Sequence, residues 1–165
     1  MRVRAYFECP QARRHVVAYH PLGGEVLRDR LGNNEAVDWP GLAQFVARLH
    51  ERGVYFRSLH SGNVVCVPGG DFGLIDIADL QLLREPLGLA RRVRNLRPLL
   101  RDPVLRSHWQ ATPFREFIDV YCRTASVSPR QESLFRRLAW WQWARCTGQG
   151  AGASVSGSTS PSGSR

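Results

Sequence analysis

Asn63 and Asp76 stand thirteen residues apart, and the chain between them reads as a short ribbon. Val64, Val65 and Val67 form an apolar strand, Pro68-Gly69-Gly70 has turn chemistry, and Leu74-Ile75 runs apolar into Asp76. A tight hairpin brings the two polar side chains together at its open end. There an amide oxygen beside a carboxylate makes a hard-oxygen pair of the kind Mg²⁺ accepts, with waters and phosphates completing the octahedron. An ordinary β-hairpin with solvated polar ends fits the same two residues taken alone.

The elements that must hold this ribbon are legible from periodicity. Val3–Cys9 alternates apolar and polar residues, Pro10–Arg13 reads as a turn and His15–Tyr19 as a second strand, which together predict an antiparallel hairpin. Trp39-Pro40 opens a helix to about Arg52, with Leu42, Phe45, Val46 and Leu49 on one face and Gly53 ending it. A second helix is expected from Pro86 to about Leu100. Its Leu89, Val93, Leu96 and Leu100 oppose a basic face of Arg91, Arg92, Arg94 and Arg97, which is either a solvated surface or an anion-binding groove. Pro113 to about Ala125 places Phe114, Phe117, Ile118 and Tyr121 together. Ser128-Pro129 then starts a last helix that carries Trp140, Trp141 and Trp143 to about Arg145. Those tryptophans either close the helical core or, with Arg136, Arg137 and Arg145, form an interfacial membrane anchor. Residues 147–165 are Gly/Ser-rich and are expected to be disordered.

Composition narrows the chemistry. The 165 residues carry a net charge of +9, and all 23 basic residues are arginine. A chain without lysine has no P-loop lysine, no Schiff-base lysine and no strand lysine for ATP phosphates. The positive balance favours anionic partners such as a phosphorylated glycolipid, a membrane surface or nucleic acid. The four cysteines, Cys9, Cys66, Cys122 and Cys146, are scattered without zinc or disulfide spacing, which suits a reducing cytoplasm. No stretch approaches the roughly 20 apolar residues of a membrane span. About 145 residues remain outside the tail, enough for one modest domain.

The stretch VYFRSLHSGNVV followed by Leu74-Ile75-Asp76 resembles the catalytic loop and metal loop of the protein-kinase-like superfamily. Its wording is most similar to bacterial lipopolysaccharide core kinases, the Kdo and heptose kinases, and to their relatives called toluene tolerance proteins. The resemblance implies that Asn63 and Asp76 hold Mg²⁺ beneath ATP. It also places Ser58 where the catalytic Asp is expected, five residues before Asn63. Phe56-Arg57-Ser58 thus replaces His-Arg-Asp, Arg57 is expected to brace the loop, and His60 is the nearest group that could take a proton in place of the missing acid. The literal Asp71-Phe72-Gly73 triplet lies too close behind Asn63 to be the metal loop and is read as hairpin turn.

Upstream, His20-Pro21-Leu22-Gly23-Gly24 resembles the hinge of small-molecule kinases, which implies that His20, Pro21 and Leu22 face adenine. A plain strand-turn-helix junction accounts for these residues equally well. The glycine-rich loop, the phosphate lysine and its glutamate partner have no counterpart here, so either the chain is a fragment or a shortened reading frame, which the sequence favours, or this family member has dispensed with that lobe.

The fold expected is α+β: a protein-kinase-like C-terminal lobe (25–146), mainly helical with a catalytic-loop hairpin. A remnant N-lobe hairpin and hinge (1–24) precedes it and the tail (147–165) follows. The function implied is ATP-dependent phosphorylation of a lipopolysaccharide-core sugar, weak or absent in this short form. The expected location is the cytoplasm, either free or at the inner face of the inner membrane. A pseudokinase acting as a binding or regulatory module is the alternative. A nucleic-acid-binding domain ranks last, since no zinc-finger spacing, helix-turn-helix or aromatic-basic strand motif is present.

Overall fold

The computed structural model describes residues 3–12, 14–19 and 21–148. β1 (Val3–Cys9) and β2 (Arg14–Tyr19) form the expected antiparallel hairpin across a 3₁₀ turn at Pro10–Ala12. Two further small sheets follow. β3 (Glu25–Val26), β5 (Val64–Cys66) and β6 (Phe72–Leu74) pair antiparallel in the order β3-β5-β6, and β4 (Val54–Phe56) pairs with β7 (Leu80–Leu82). The remainder is helical, so the fold is mixed α and β with helices predominating.

The helix starts follow from local chemistry. α1 (Leu27–Gly32) continues directly from β3. α2 (Trp39–Glu51) is capped by Asp38, which accepts the Gly41 N–H at 2.8 Å, and Pro40 sits in its first turn, where a missing N–H costs nothing. α3 (Leu89–Arg101) begins after Gly88, three residues later than Pro86 suggested. α4 (Pro103–His108) was not expected from periodicity; Asp102 caps it and Pro103 opens it. α5 (Ala111–Thr124) and α6 (Pro129–Thr147) match the expected segments, the latter with a Ser128/Gln131 capping box and Gly148 in the left-handed region at its end. The Gly/Ser-rich residues 149–165 lie outside the described residues.

The core is one cluster built on Trp109, Phe114, Phe117, Tyr121, Phe135 and Trp143, joined by leucines of α2 and α3. α2 buries Ala43 and Ala47 more fully than the predicted Phe45 and Leu49, and α5 is the helix it packs against most extensively. Trp143 stacks on Phe114 at 5.4 Å and donates its indole N–H to the Trp109 carbonyl at 3.1 Å. Trp140 and Trp141 remain exposed. The tryptophan cluster therefore divides between packing and surface. No helix among the described residues is long and apolar enough to cross a membrane.

Two expectations need correction. Arg92 does not belong to the basic face of α3: it is buried, paired with Glu51 at 2.9 Å, and bonded to the Leu87 carbonyl and the Tyr121 hydroxyl. A side chain reaching inward from that turn finds three acceptors, which repays its desolvation. The Asp71-Phe72-Gly73 triplet also divides. Only Asp71 lies in the turn, where its carbonyl accepts from Val67 N–H at 2.8 Å, whereas Phe72 and Gly73 already belong to β6.

Candidate functional site

The β5/β6 register pairs Val64 with Leu74, so Asn63 faces Ile75 across the open end, and Ile75 N–H donates to the Asn63 carbonyl at 3.1 Å. Asp76 is the next residue. It sits at φ 51, ψ 51, exposed, and turns the chain into a 3₁₀ turn at Ile77–Asp79. Asp tolerates this left-handed conformation better than most residues, and such positions concentrate at functional sites.

Asn63 is buried within the 3₁₀ turn Ser61–Asn63. Its Nδ2 donates to the Ser58 carbonyl at 3.1 Å, which fixes the amide and leaves Oδ1 without a hydrogen bond among the described residues. Ser58 Oγ in turn donates to Asp79 Oδ2 at 2.7 Å. The other Asp79 oxygen, Oδ1, is buried without a hydrogen-bond partner among the described residues. His60 Nδ1 accepts the Gly62 N–H at 3.2 Å, so its lone pair is engaged in holding the turn.

The loop is anchored from behind by residues that sequence reasoning passed over. Asn95 on α3 closes both backbone groups of Phe56: Nδ2 donates to the Phe56 carbonyl at 2.5 Å and Oδ1 accepts its N–H at 3.5 Å. Asn95 Oδ1 also lies 3.0 Å from His50 Nε2, whose Nδ1 is 2.7 Å from the Tyr121 hydroxyl. This arrangement assigns the proton to Nε2. Burial drives the His50 pKa down to about 3, against the opposing bond to Asn95. His50 is thus a buried neutral strut, as its place on α2 suggested.

Asp102 holds the other end. It accepts the Ser61 N–H at 2.9 Å and the Ser61 hydroxyl, while its second oxygen caps α4 through the N–H of Val104 at 3.0 Å. Burial alone would raise its carboxyl, but the bonds from Ser61 and Leu105 and the Arg28 guanidinium 3.6 Å away hold it below the usual range. Arg28 lies flat against Gly62, where a Cβ would sit 3.0 Å from the guanidinium carbon. These ties brace the loop. The Asp102-Pro103 pair carried a helix-start signal that could have located α4 and this anchor.

Arg57 is exposed and, with Arg94, Arg97 and Arg101, lines a cleft of about 430 Å³ beside α3. Of the hinge residues, His20 lies outside the described residues, Pro21 is exposed, and Leu22 packs over Gly73, where a Cβ would come within 2.6 Å of its Cδ1. Leu22 thus contacts the same ribbon that carries Asn63 and Asp76.

Two solved kinases resemble the chain. The bifunctional kinase-methyltransferase WbdD matches 84% of this chain and 35% of its own, at 18% identity and a TM-score of 0.43. A divergent kinase lacking the glycine-rich loop, which regulates membrane ultrastructure of the Toxoplasma parasitophorous vacuole, matches 81% of this chain and 45% of its own, at 19% identity and a TM-score of 0.41. The chain spans less than half of either protein. No family model and no curated protein matches it in sequence.

Proposed function

We propose that this chain forms the metal- and nucleotide-facing half of a kinase-like phosphotransferase, with Mg²⁺–ATP as its ligand and a sugar hydroxyl of an anionic envelope glycolipid as its acceptor. The observation that carries the reading is the hairpin register, which sets the open Asn63 amide oxygen and the Asp76 carboxylate at one end of the β5/β6 ribbon. The donor set suits the ion. Mg²⁺ takes only one or two protein oxygens and fills the rest of its shell with water and phosphate. No group of three His, Cys, Asp or Glu able to hold a metal occurs among the described residues. When bound, the metal supplies charge neutralisation at the transferring phosphoryl group.

The chain's own residues supply the rest. The acceptor hydroxyl gives its proton to Ser58 Oγ as the Ser58 proton passes to Asp79 Oδ2, the carboxylate already bonded to it. A relay through a hydroxyl is a poorer base than a carboxylate in place, and loss of a positioned base costs about 10² to 10⁴ in rate. Without a lysine to orient phosphates, transfer is slower still. Transfer of labelled phosphate from ATP to dephosphorylated core lipopolysaccharide should therefore proceed far below the rate of an intact two-lobed kinase and vanish in Asp76→Ala. Turnover unaffected by that substitution would refute the assignment.

Ser58 in the place of an acid also favours a second reading, a pseudokinase that binds nucleotide as a regulatory module. Thermal stabilisation by nucleotide without turnover distinguishes it. In either reading the chain works at the cytoplasmic face of the inner membrane. Exposed Trp141, with the Arg145 guanidinium 4.6 Å from its ring, supports peripheral contact there.

A further inference from the structure

The cleft beside α3 is a candidate site in its own right. Four of its seven lining residues are arginines, and none of the seven is acidic. Arg94, Arg97 and Arg101 recur at three- and four-residue spacing, so they form one exposed stripe of α3, about 100° round the helix from the buried Val93, Leu96 and Leu100. Arg57 faces them from the residue that follows β4. Among the described residues none of these four guanidiniums makes an ion pair, whereas Arg28, Arg30, Arg92 and Arg136 all do.

Like charges at this spacing destabilise a helix. The negative end of the helix dipole offsets the charge of Arg101 in the last turn, but its reach does not extend to Arg94 or to Arg57. A convergent set of unpaired guanidiniums around a concavity is what a multiply charged oxyanion requires. Each planar fork can donate two parallel hydrogen bonds to phosphate oxygens. The cavity has the size of a small-ligand pocket and room for a phosphorylated sugar.

We infer that this cleft binds a phosphomonoester, held by Arg57, Arg94, Arg97 and Arg101. The inference rests on the cleft alone and stands whether or not the neighbouring loop transfers phosphate. Because Arg57 directly precedes Ser58, and Asn95 ties α3 to the backbone of Phe56, an anion bound here also orders the start of the loop.

Calorimetric titration of the full chain with glucose 6-phosphate, glucose and inorganic phosphate tests this. Companion titrations use phosphatidylcholine vesicles containing phosphatidic acid. Glucose 6-phosphate should bind and glucose should not. The double variant R94Q/R97Q and the single variant R101Q should each weaken binding, the double by about tenfold or more. A double variant with the same loss of charge elsewhere, R123Q/R130Q, should change it by less than about twofold. Preference for the free sugar phosphate identifies a soluble ligand, and preference for the vesicles with the same loss in R94Q/R97Q identifies a lipid headgroup; either supports the site. Four results would overturn it: undiminished affinity in R94Q/R97Q, an equal loss in R123Q/R130Q, no binding of any phosphate, or tighter binding of a single-stranded oligonucleotide than of glucose 6-phosphate at equal salt.

Discussion

Ser58 Oγ donates to Asp79 Oδ2 at 2.7 Å, so the hydroxyl five residues before Asn63 is backed by a carboxylate 21 residues further along the chain. The pairing predicts a reciprocal exchange. Ser58→Asp alone places two carboxylates against each other and should destabilise the fold by about 1–3 kcal/mol. Adding Asp79→Ser should restore most of that loss, because the carboxylate and hydroxyl have only traded places. Urea denaturation of the two single variants and the double variant gives the coupling. An undestabilised Ser58→Asp would show that the two side chains do not meet.

His50 makes the fold sensitive to acid. Its pKa falls from about 6.5 in the unfolded chain to about 3 in the fold, so between those values the unfolded chain binds the extra proton. Its contribution is therefore fully present above pH 6.5 and is lost as pH falls toward 3, by at most about 1.4 kcal/mol per pH unit. His50→Gln should flatten this part of the stability-pH curve while lowering stability at neutral pH. An unchanged slope between pH 6 and pH 4 (on the order of the window set by the two pKa values) would remove His50 from the account.

Asp102 joins the loop to α4, and its loss strikes both. Asp102→Ala removes a helix cap and leaves the buried Ser61 N–H and hydroxyl proton without their acceptor, at a cost of about 2–4 kcal/mol. Hydrogen exchange should show the added opening at Ser61–Asn63 and at α4 while the β1/β2 hairpin stays as protected as before. Uniform loss of protection would argue against a local anchor.

What sequence could read and what it could not divide along physical lines. The apolar periods of Leu42–Val46 and Phe114–Tyr121 and the Ser128-Pro129 start fixed their helices, because burial and capping are local in sequence. The hairpin between Asn63 and Asp76 was legible for the same reason, its turn being spelled by Pro68-Gly69-Gly70. The anchors were not. Asn95, Asp102 and Asp79 act on Phe56, Ser61 and Ser58 from 39, 41 and 21 residues away, and nothing in the pattern of one chain marks such pairs. Arg92 was misassigned to a solvated face because helical spacing alone does not reveal that Glu51 and Tyr121 await it inside.

The account turns on Asn63 and Asp76 acting together on one ion beneath a nucleotide. Calorimetric titration of the chain with Mg²⁺ and a non-hydrolysable ATP analogue measures this most directly. Metal-dependent binding should be seen with the native chain and lost in both Asn63→Ala and Asp76→Ala while their melting transitions persist. Binding that is absent in the native chain, or that survives Asp76→Ala unchanged, would contradict it.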